Sequence, residues 1–253
     1  MKLKEVIQIA LEAGEILLRS GAETYRVEES ITKICTGYGH SCETFVLPTG
    51  IFLTVHSPRE ESQTFIRRIR IRSINNMDRI DRINSFSRDI TEHPLSYGEA
   101  LQELERIKSS DIYPALAKVL SASLMAFAFT ILFGGGIIDA LIAAGIGLVV
   151  YLMNLRMLKS GYFPYLVLFV LGFVSGLLSM ASELLYIGGN TFIIIISSVF
   201  LYLPGVAMTS GIRDILAGDT VSGLTRLGEA VLTVTAIGMG VGLVISMSHY
   251  FFR

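Results

Sequence analysis

Five charged residues fall within one segment of an otherwise apolar C-terminal half. They are Arg213, Asp214, Asp219, Arg226 and Glu229. Charges inside a membrane domain are unfavourable unless they line a cavity or reach water. Guanidinium groups suit carboxylate ligands, and the acids can orient the arginines, cap helices or relay protons. The segment therefore predicts an anion site built from Arg213, Asp214, Asp219 and Arg226.

Helix-breaking residues divide the same segment. Pro204 and Gly205 are expected to end or kink one helix, and Gly218 is expected to stop a short second helix. Asp219 then caps a third helix. The helices after Gly205 and Asp219 present N-terminal amides, which favour anions, and broken helices of this kind form many transport sites. The alternative is a cytoplasmic linker in which the arginines only follow the positive-inside bias.

Two features lie outside this segment. Asp139 is a further candidate for a polar or proton site, although a role at the membrane interface, at the end of a helix, is the favoured interpretation. The turn Pro48-Thr49-Gly50 is predicted to join two strands, and it is either a contact toward the membrane domain or a plain turn.

The charge distribution divides the chain in two. Of the 21 Lys and Arg residues, 15 precede Asp111, so a soluble domain at 1–112 and a membrane domain at 113–253 are predicted. Apolar runs of the length that crosses a bilayer predict five transmembrane helices, near 115–133, 137–155, 162–182, 187–204 and 228–250.

The soluble part is predicted to be a small α+β domain. Helical periodicity covers 3–18, and a second helix over 25–38 follows Thr24 as its N-cap. Short β-branched runs on either side of Pro48-Thr49-Gly50 predict a hairpin, with a third strand near 64–70. Charged helices are expected at 77–90 and 97–108.

Basic residues in the short loops set the predicted orientation. Arg156 and Lys159 follow the second span, and Arg213 and Arg226 follow the fourth. The intervening loops lack Lys and Arg. The N-terminus and the soluble domain are therefore expected in the cytoplasm, and the C-terminus outside.

Several classes of chemistry have no support in the sequence. There is no phosphate-binding loop, no H-E-x-x-H and no G-x-S-x-G. The four histidines are scattered, so no metal site is predicted, and the near-zero net charge gives no case for nucleic-acid binding. We predict no enzyme activity and no cofactor. The two cysteines, Cys35 and Cys42, are expected to be reduced thiols if their domain is cytosolic.

A dense basic run spans Arg67, Arg68, Arg70, Arg72, Arg79 and Arg82. It is either a patch for anionic lipid or substrate entry, or a solvated face paired with Asp78, Asp81 and Asp89.

Motifs spread in order along the chain resemble the threonine/serine exporter family. They are L-L-R-S-G-A-E-T-Y-R-V-E at 17–28, P-T-G-I at 48–51, F-G-G-G-I-I-D at 133–139, L-P-G at 203–205, R-D-I-L-A-G-D at 213–219 and S-G-L-T-R-L-G-E-A at 222–230. The resemblance implies export of small metabolites across the bacterial inner membrane without ATP.

The five-span length resembles the larger subunit of the split form of that family, which is associated with succinate export. That resemblance implies a second membrane subunit that completes the pathway, as inverted halves do in many transporters. The expected function is export of a small carboxylate, or of threonine and serine, across the bilayer. The alternative is a membrane-anchored regulatory or scaffold protein with a ligand-binding cytosolic domain.

Overall fold

The computed structural model describes residues 1–56, 61–69, 76–110, 113–185 and 189–251. Within these ranges the chain is mostly helical, with one small sheet. It forms two compact units. The first comprises Met1–Asp111 and Val206–Leu227, and the second comprises Ile112–Gly205 and Gly228–Arg253. The first unit is thus discontinuous in sequence, and its C-terminal piece contains most of the charged segment.

The first unit is built around the helix α1 (Leu3–Arg19). This helix packs against α2 (Thr24–Gly37), α3 (Met77–Glu92), α4 (Tyr97–Ser109) and the sheet. Burial on several sides explains its apolar positions, which extend beyond a single stripe. The core of the unit includes Leu3, Ile7, Leu17, Ile31, Ile34, Ile51, Leu53, Ile83, Ile90 and Leu104.

The sheet has three antiparallel strands in the order β1 (Ser41–Leu47), β2 (Gly50–His56) and β3 (Gln63–Arg68). Leu47 pairs with Gly50, so the loop between β1 and β2 contains only Pro48 and Thr49. The Thr49 carbonyl accepts a hydrogen bond from the Ile69 amide at 2.8 Å, which fixes the chain leaving β3 beside this loop. The predicted three-stranded sheet is therefore present.

Two arginines of the basic run make ion pairs in the first unit. Arg67 contacts Glu15 at 2.9 Å, and Arg82 contacts Asp78 at 2.9 Å. Arg68 is exposed. Arg70 and Arg72 lie outside the described residues.

The second unit contains four consecutive helices after Asp111. They are α5 (Ala115–Leu132), α6 (Ile137–Lys159), α7 (Pro164–Leu184) and α8 (Thr191–Val199). A short 3-10 turn, Phe200–Tyr202, follows α8. The first-unit helix α9 (Gly205–Leu216) comes next, and α10 (Thr220–Phe251) starts in the first unit and continues into the second.

Four described helices are long and apolar enough to cross a membrane: α5, α6, α7 and α10. A fifth span is counted only if the bent pair Thr191–Tyr202 and Gly205–Leu216 forms one crossing. The last helix begins at Thr220, directly after Asp219 as predicted, and it extends the span predicted near 228–250 toward its N-terminus. Arg226 interrupted the apolar run in the sequence, but the helix continues through this residue because its charge is satisfied in the fold.

Glycine allows two helices of the second unit to approach closely. A Cβ atom at Gly240 of α10 would overlap the carbonyl oxygen of Phe169 in α7, and one at Gly172 would overlap the carbonyl of Ile237. Neighbouring Gly238 has nothing near the corresponding position. Gly172 and Gly240 therefore mark the α7–α10 contact, as small residues do in other membrane bundles.

Candidate functional site

Two helix–turn–helix segments of the first unit meet at the residues predicted to carry chemistry. The α1–α2 turn contains Gly21 with φ of 88°, and the α9–α10 turn contains Gly218 with φ of 99°. Both values lie in the left-handed region, where glycine avoids the Cβ clash. The side chains that join these two turns, Glu23, Thr24, Arg213, Asp214, Asp219 and Arg226, are called the turn cluster below.

Arg226 connects the second turn of α10 to the α1–α2 turn. Its guanidinium donates to the carbonyl of Ala22 at 2.5 Å and to that of Gly21 at 3.3 Å. Its Nε atom lies 2.8 Å from Oδ2 of Asp214. This N–H does not point at the oxygen, so opposite charge rather than an aligned hydrogen bond holds that contact. With a side chain only 7% exposed, Arg226 is an internal crosslink.

Asp214 is fully buried and satisfies the N-terminus of α2 from a distant part of the chain. Its Oδ1 accepts the Thr24 hydroxyl at 3.4 Å, and the carboxylate also accepts the Thr24 backbone amide. The first amides of a helix lack intrahelical partners, so a carboxylate there is stabilised by both hydrogen bonding and the helix dipole. Asp214 therefore caps α2 while balancing the charge of Arg226.

Thr24 differs from its predicted role. It is the first residue of α2, the N-cap position belongs to Glu23, and no side chain of the helix itself caps this end. The Thr24 hydroxyl instead donates to Oδ2 of Asp219 at 2.8 Å. Asp219 directly precedes α10, so this bond ties the start of α2 to the start of α10.

Glu28 lies one helical turn beyond Thr24, where the negative charge of Asp219 also acts on it. Its Oε1 accepts the Val46 amide at 2.9 Å. Burial raises the pKa of Glu28, the Val46 amide opposes this effect, and the charge of Asp219 raises the pKa further. The α2 face beside the turn cluster is thus unfavourable for additional negative charge.

Arg213 is the accessible cation of the turn cluster. Its guanidinium donates to Oε1 of Glu23 at 2.6 Å, while its side chain stays 57% exposed. The second oxygen of Glu23 contacts Arg26 at 3.0 Å. Because Arg213 is exposed and Arg226 is enclosed, only Arg213 presents its guanidinium to an incoming carboxylate in this arrangement.

The helix-break residues and Asp139 occupy other positions. Leu203 and Pro204 separate the 3-10 turn from α9, and Gly205 is the first residue of α9. Asp139 lies in the first turn of α6, in the second unit, and is nearly buried. Its carboxylate accepts the amides of Gly136 at 3.1 Å and Gly189 at 2.6 Å. Asp139 therefore joins the α5–α6 loop to the segment before α8.

The second unit also contains a cavity of about 310 Å³. Its lining includes Lys118, Ser121, Met125, Tyr151 and Leu201. The accessible surface of this lining is almost entirely apolar, so the cavity offers few groups to orient a polar substrate. Lys118 was not among the residues singled out from the sequence, because one lysine near the start of a span is a common interfacial anchor.

Glu23, Thr24 and the carbonyls of Gly21 and Ala22 were also missed as site components. Their partners lie about 190–205 positions away in sequence, and periodicity and local spacing carry no information on such pairing. The signal available was the presence of family motifs at both 17–28 and 213–230. Among the described residues no group of three or more His, Cys, Asp or Glu side chains has metal-binding geometry.

Comparison with known proteins places the whole chain in one family. The family model ThrE, the threonine/serine exporter, matches residues 8–248. No curated protein and no solved structure gives a significant match. The matched range includes both pieces of the first unit and nearly all of the second. The chain therefore belongs to the threonine/serine exporter family of membrane transporters.

Proposed function

We propose that the chain is a subunit of a secondary transporter that exports small amino acids or carboxylates across the bacterial inner membrane. The proposed substrates are threonine and serine or, alternatively, succinate. The observation that carries the proposal is that two charged family motifs, at 17–28 and 213–230, meet in the turn cluster. The cluster presents the exposed guanidinium of Arg213 beside the carboxylate of Glu23, and these groups can bind the carboxylate and the ammonium of a small amino acid.

Within the turn cluster the two arginines have different tasks. Arg226 and Asp214 hold the α1–α2 and α9–α10 turns together and keep Arg213 in place. Arg213 receives the substrate carboxylate by exchanging its contact with Glu23. A guanidinium suits this exchange because its planar donors match a carboxylate pair.

The charge balance of the turn cluster favours an amino acid over a dicarboxylate. Three acids (Glu23, Asp214, Asp219) are matched by Arg213, Arg226 and the Arg26 that contacts Glu23, so the charges of the cluster balance, with Glu28 nearby. A zwitterion can place its carboxylate on Arg213 and its ammonium on Glu23. A dicarboxylate would bring a second negative charge next to Glu23, whereas a zwitterion leaves the balance unchanged, so threonine and serine are the preferred substrates.

We further propose that the first unit lies in the cytoplasm, that the C-terminus is outside, and that a second membrane subunit binds the chain. Arg156 and Lys159 at the end of α6 and Arg213 and Arg226 near the α9–α10 turn support this orientation through the positive-inside bias. If the bent pair is one span, five crossings place the two ends of the membrane domain on opposite sides. A second half would then be inverted, as in many transporters.

Counterflow in proteoliposomes tests the proposal. The chain is reconstituted with and without the second membrane subunit, and uptake of labelled threonine, serine and succinate is measured. Arg213→Gln is expected to remove most of the flux while leaving membrane insertion intact. Arg156→Gln, a change at the last turn of α6 outside the turn cluster, is the matched control. Equal flux in both variants would exclude Arg213 from substrate handling.

Glu23→Gln separates the two substrate classes. This change removes the proposed ammonium partner, so threonine and serine flux should fall, while succinate flux should hold or rise because a repulsive charge is gone. Loss of succinate flux alone would point to a dicarboxylate exporter. Full counterflow by the isolated chain would contradict the two-subunit arrangement, and absence of any flux with the partner present would favour a scaffold role.

A further inference from the structure

The two cysteines of the chain, Cys35 and Cys42, lie together in the first unit. Both are free thiols, and there are no other cysteines in the sequence. Cys35 lies in the last turn of α2 and Cys42 is the second residue of β1. Neither takes part in the turn cluster, so their proximity needs a separate explanation.

Backbone geometry brings the two thiols to the same face of α2. The His40 amide donates to the Cys35 carbonyl at 3.0 Å, which reverses the chain between the helix and β1. The Cys42 sulfur then lies 3.9 Å from the Thr32 hydroxyl oxygen. Thr32 and Cys35 are three residues apart on α2, and such residues are neighbours on a helix surface. The sulfur of Cys42 therefore lies against the helix face that carries Cys35, within reach of a thiol–thiol hydrogen bond.

The environments of the two sulfurs differ. Cys35 is completely buried, whereas Cys42 is partly exposed. The hydrogen bond from Cys35 lowers the pKa of Cys42 to about 6, and this effect, aided by Thr44, Thr32 and the nearby His56, outweighs the partial burial of Cys42. The contact with Cys42 and then burial raise the pKa of Cys35. The exposed sulfur is thus the thiolate and the buried sulfur keeps its proton.

We propose that Cys35 and Cys42 form a peroxide-oxidisable dithiol, in which Cys42 attacks the peroxide and Cys35 resolves the product as a disulfide. Reactive cysteines are exposed, stabilised as thiolates and placed beside a resolving thiol. Cys42 meets the first two conditions and Cys35 provides the third.

The chemistry requires only a hydroperoxide as oxidant. The Cys42 thiolate attacks one peroxide oxygen, the O–O bond breaks, and the leaving oxygen takes a proton to give water or an alcohol. Cys42 becomes a sulfenic acid. Cys35 then gives up its proton and attacks the Cys42 sulfur, which forms the S–S bond and releases hydroxide that is protonated to water. Two thiols are oxidised by two electrons and one peroxide is reduced.

Mass spectrometry of the purified full-length chain tests this pathway. Treatment with hydrogen peroxide should lower the mass of the chain by two hydrogens and leave neither cysteine available for alkylation. Digestion should then give a peptide linked through Cys35 and Cys42. In Cys35→Ala, a dimedone-type reagent should trap a sulfenic acid on Cys42. In Cys42→Ala, Cys35 should stay reduced. Disulfide-linked dimers as the main product, or oxidation of Cys35 in Cys42→Ala, would overturn the proposal.

Alkylation kinetics provide a second, independent measurement. The rate at Cys42 should follow a titration with a midpoint near pH 6, and Cys35→Ala should move the midpoint upward. At pH 6 the change should slow alkylation about 10-fold, after allowing for the lower intrinsic nucleophilicity of a low-pKa thiolate. Thr44→Val should move the midpoint less. An unchanged midpoint in Cys35→Ala would show that the thiols do not interact and would also overturn the proposal.

Discussion

The two units of the chain satisfy their buried polar groups in different ways. In the first unit, Asp214 and Arg226 are buried charges whose other partners lie in the α1–α2 turn. In the second unit, the buried charge seen in the described part of the chain is Asp139, which accepts backbone amides and has no buried arginine partner, and most other buried polar groups are hydroxyls. The Thr130 hydroxyl donates to Ala126 within its own helix, and the Ser175 and Ser198 hydroxyls bond to each other.

This difference follows from the surroundings of each unit. Helices that cross a bilayer meet most of their hydrogen-bonding needs internally, because lipid offers no partners. Their close contacts then depend on small residues such as Gly172 and Gly240. The first unit instead uses charges that require specific distant partners. Its structure should therefore be most sensitive to loss of charge, and that of the second unit to added volume.

The largest effect is expected from Asp214→Ala. Removing this carboxylate leaves Arg226 buried without its counter-charge, and breaking a buried pair in this way costs about 3–5 kcal/mol. The apparent melting temperature of the full-length chain in detergent should fall sharply, and amide exchange at 20–24 should increase. The double change Asp214→Leu with Arg226→Met should recover much of the loss. If Asp214→Ala alone were neutral, the pair would not hold the two turns together.

A smaller effect is expected from Gly240→Ala in the second unit. The added methyl group would overlap backbone atoms of Phe169 and Phe173, and overpacking typically costs about 1–3 kcal/mol. Gly238→Ala, two residues away and without neighbours at that position, should be close to neutral. Size-exclusion profiles and melting temperatures of the two variants give the comparison. Equal behaviour would argue against a close α7–α10 contact.

Arg213→Gln should have a minor effect on stability. The Arg213 side chain is 57% exposed, and ion pairs of this kind contribute about 0–1 kcal/mol. Its melting temperature should therefore remain near that of the unmodified chain, in contrast to Asp214→Ala. A large drop would mean that Arg213 is a structural crosslink like Arg226, and loss of flux in this variant would then have no bearing on substrate binding.

The smallest effect is expected from Glu28→Gln. A carboxylate whose pKa is raised in the folded state contributes stability below its unfolded pKa, near 4.3, and this contribution is lost as the pH rises through the folded pKa. The glutamine variant should thus be slightly more stable than the unmodified chain at pH 7.5, with the difference shrinking toward pH 4.5. Melting curves at several pH values provide the measurement, and a destabilised variant at pH 7.5 would contradict it.

Local patterns predicted the elements better than their assembly. The apolar period in 3–18 and the turn at Pro48-Thr49-Gly50 correspond to α1 and the β1–β2 hairpin. The start of α10 at Thr220 was predicted from Asp219, whereas the apolar run alone begins only after the charges of Arg226 and Glu229. The sequence identified the arginines of the charged segment, yet it gave them similar roles. Only their folded partners distinguish enclosed Arg226 from exposed Arg213.

The discontinuity of the first unit has a consequence for biosynthesis. A stretch of 94 residues, including α5 to α8, separates Asp111 from Val206. At about 5–20 residues per second, the ribosome needs roughly 5–20 s to add it. During that interval the Gly21 and Ala22 carbonyls lack their donor Arg226, and Glu23 has Arg26 but not yet Arg213. The first unit can therefore complete its fold only after α5 to α8 have been synthesised.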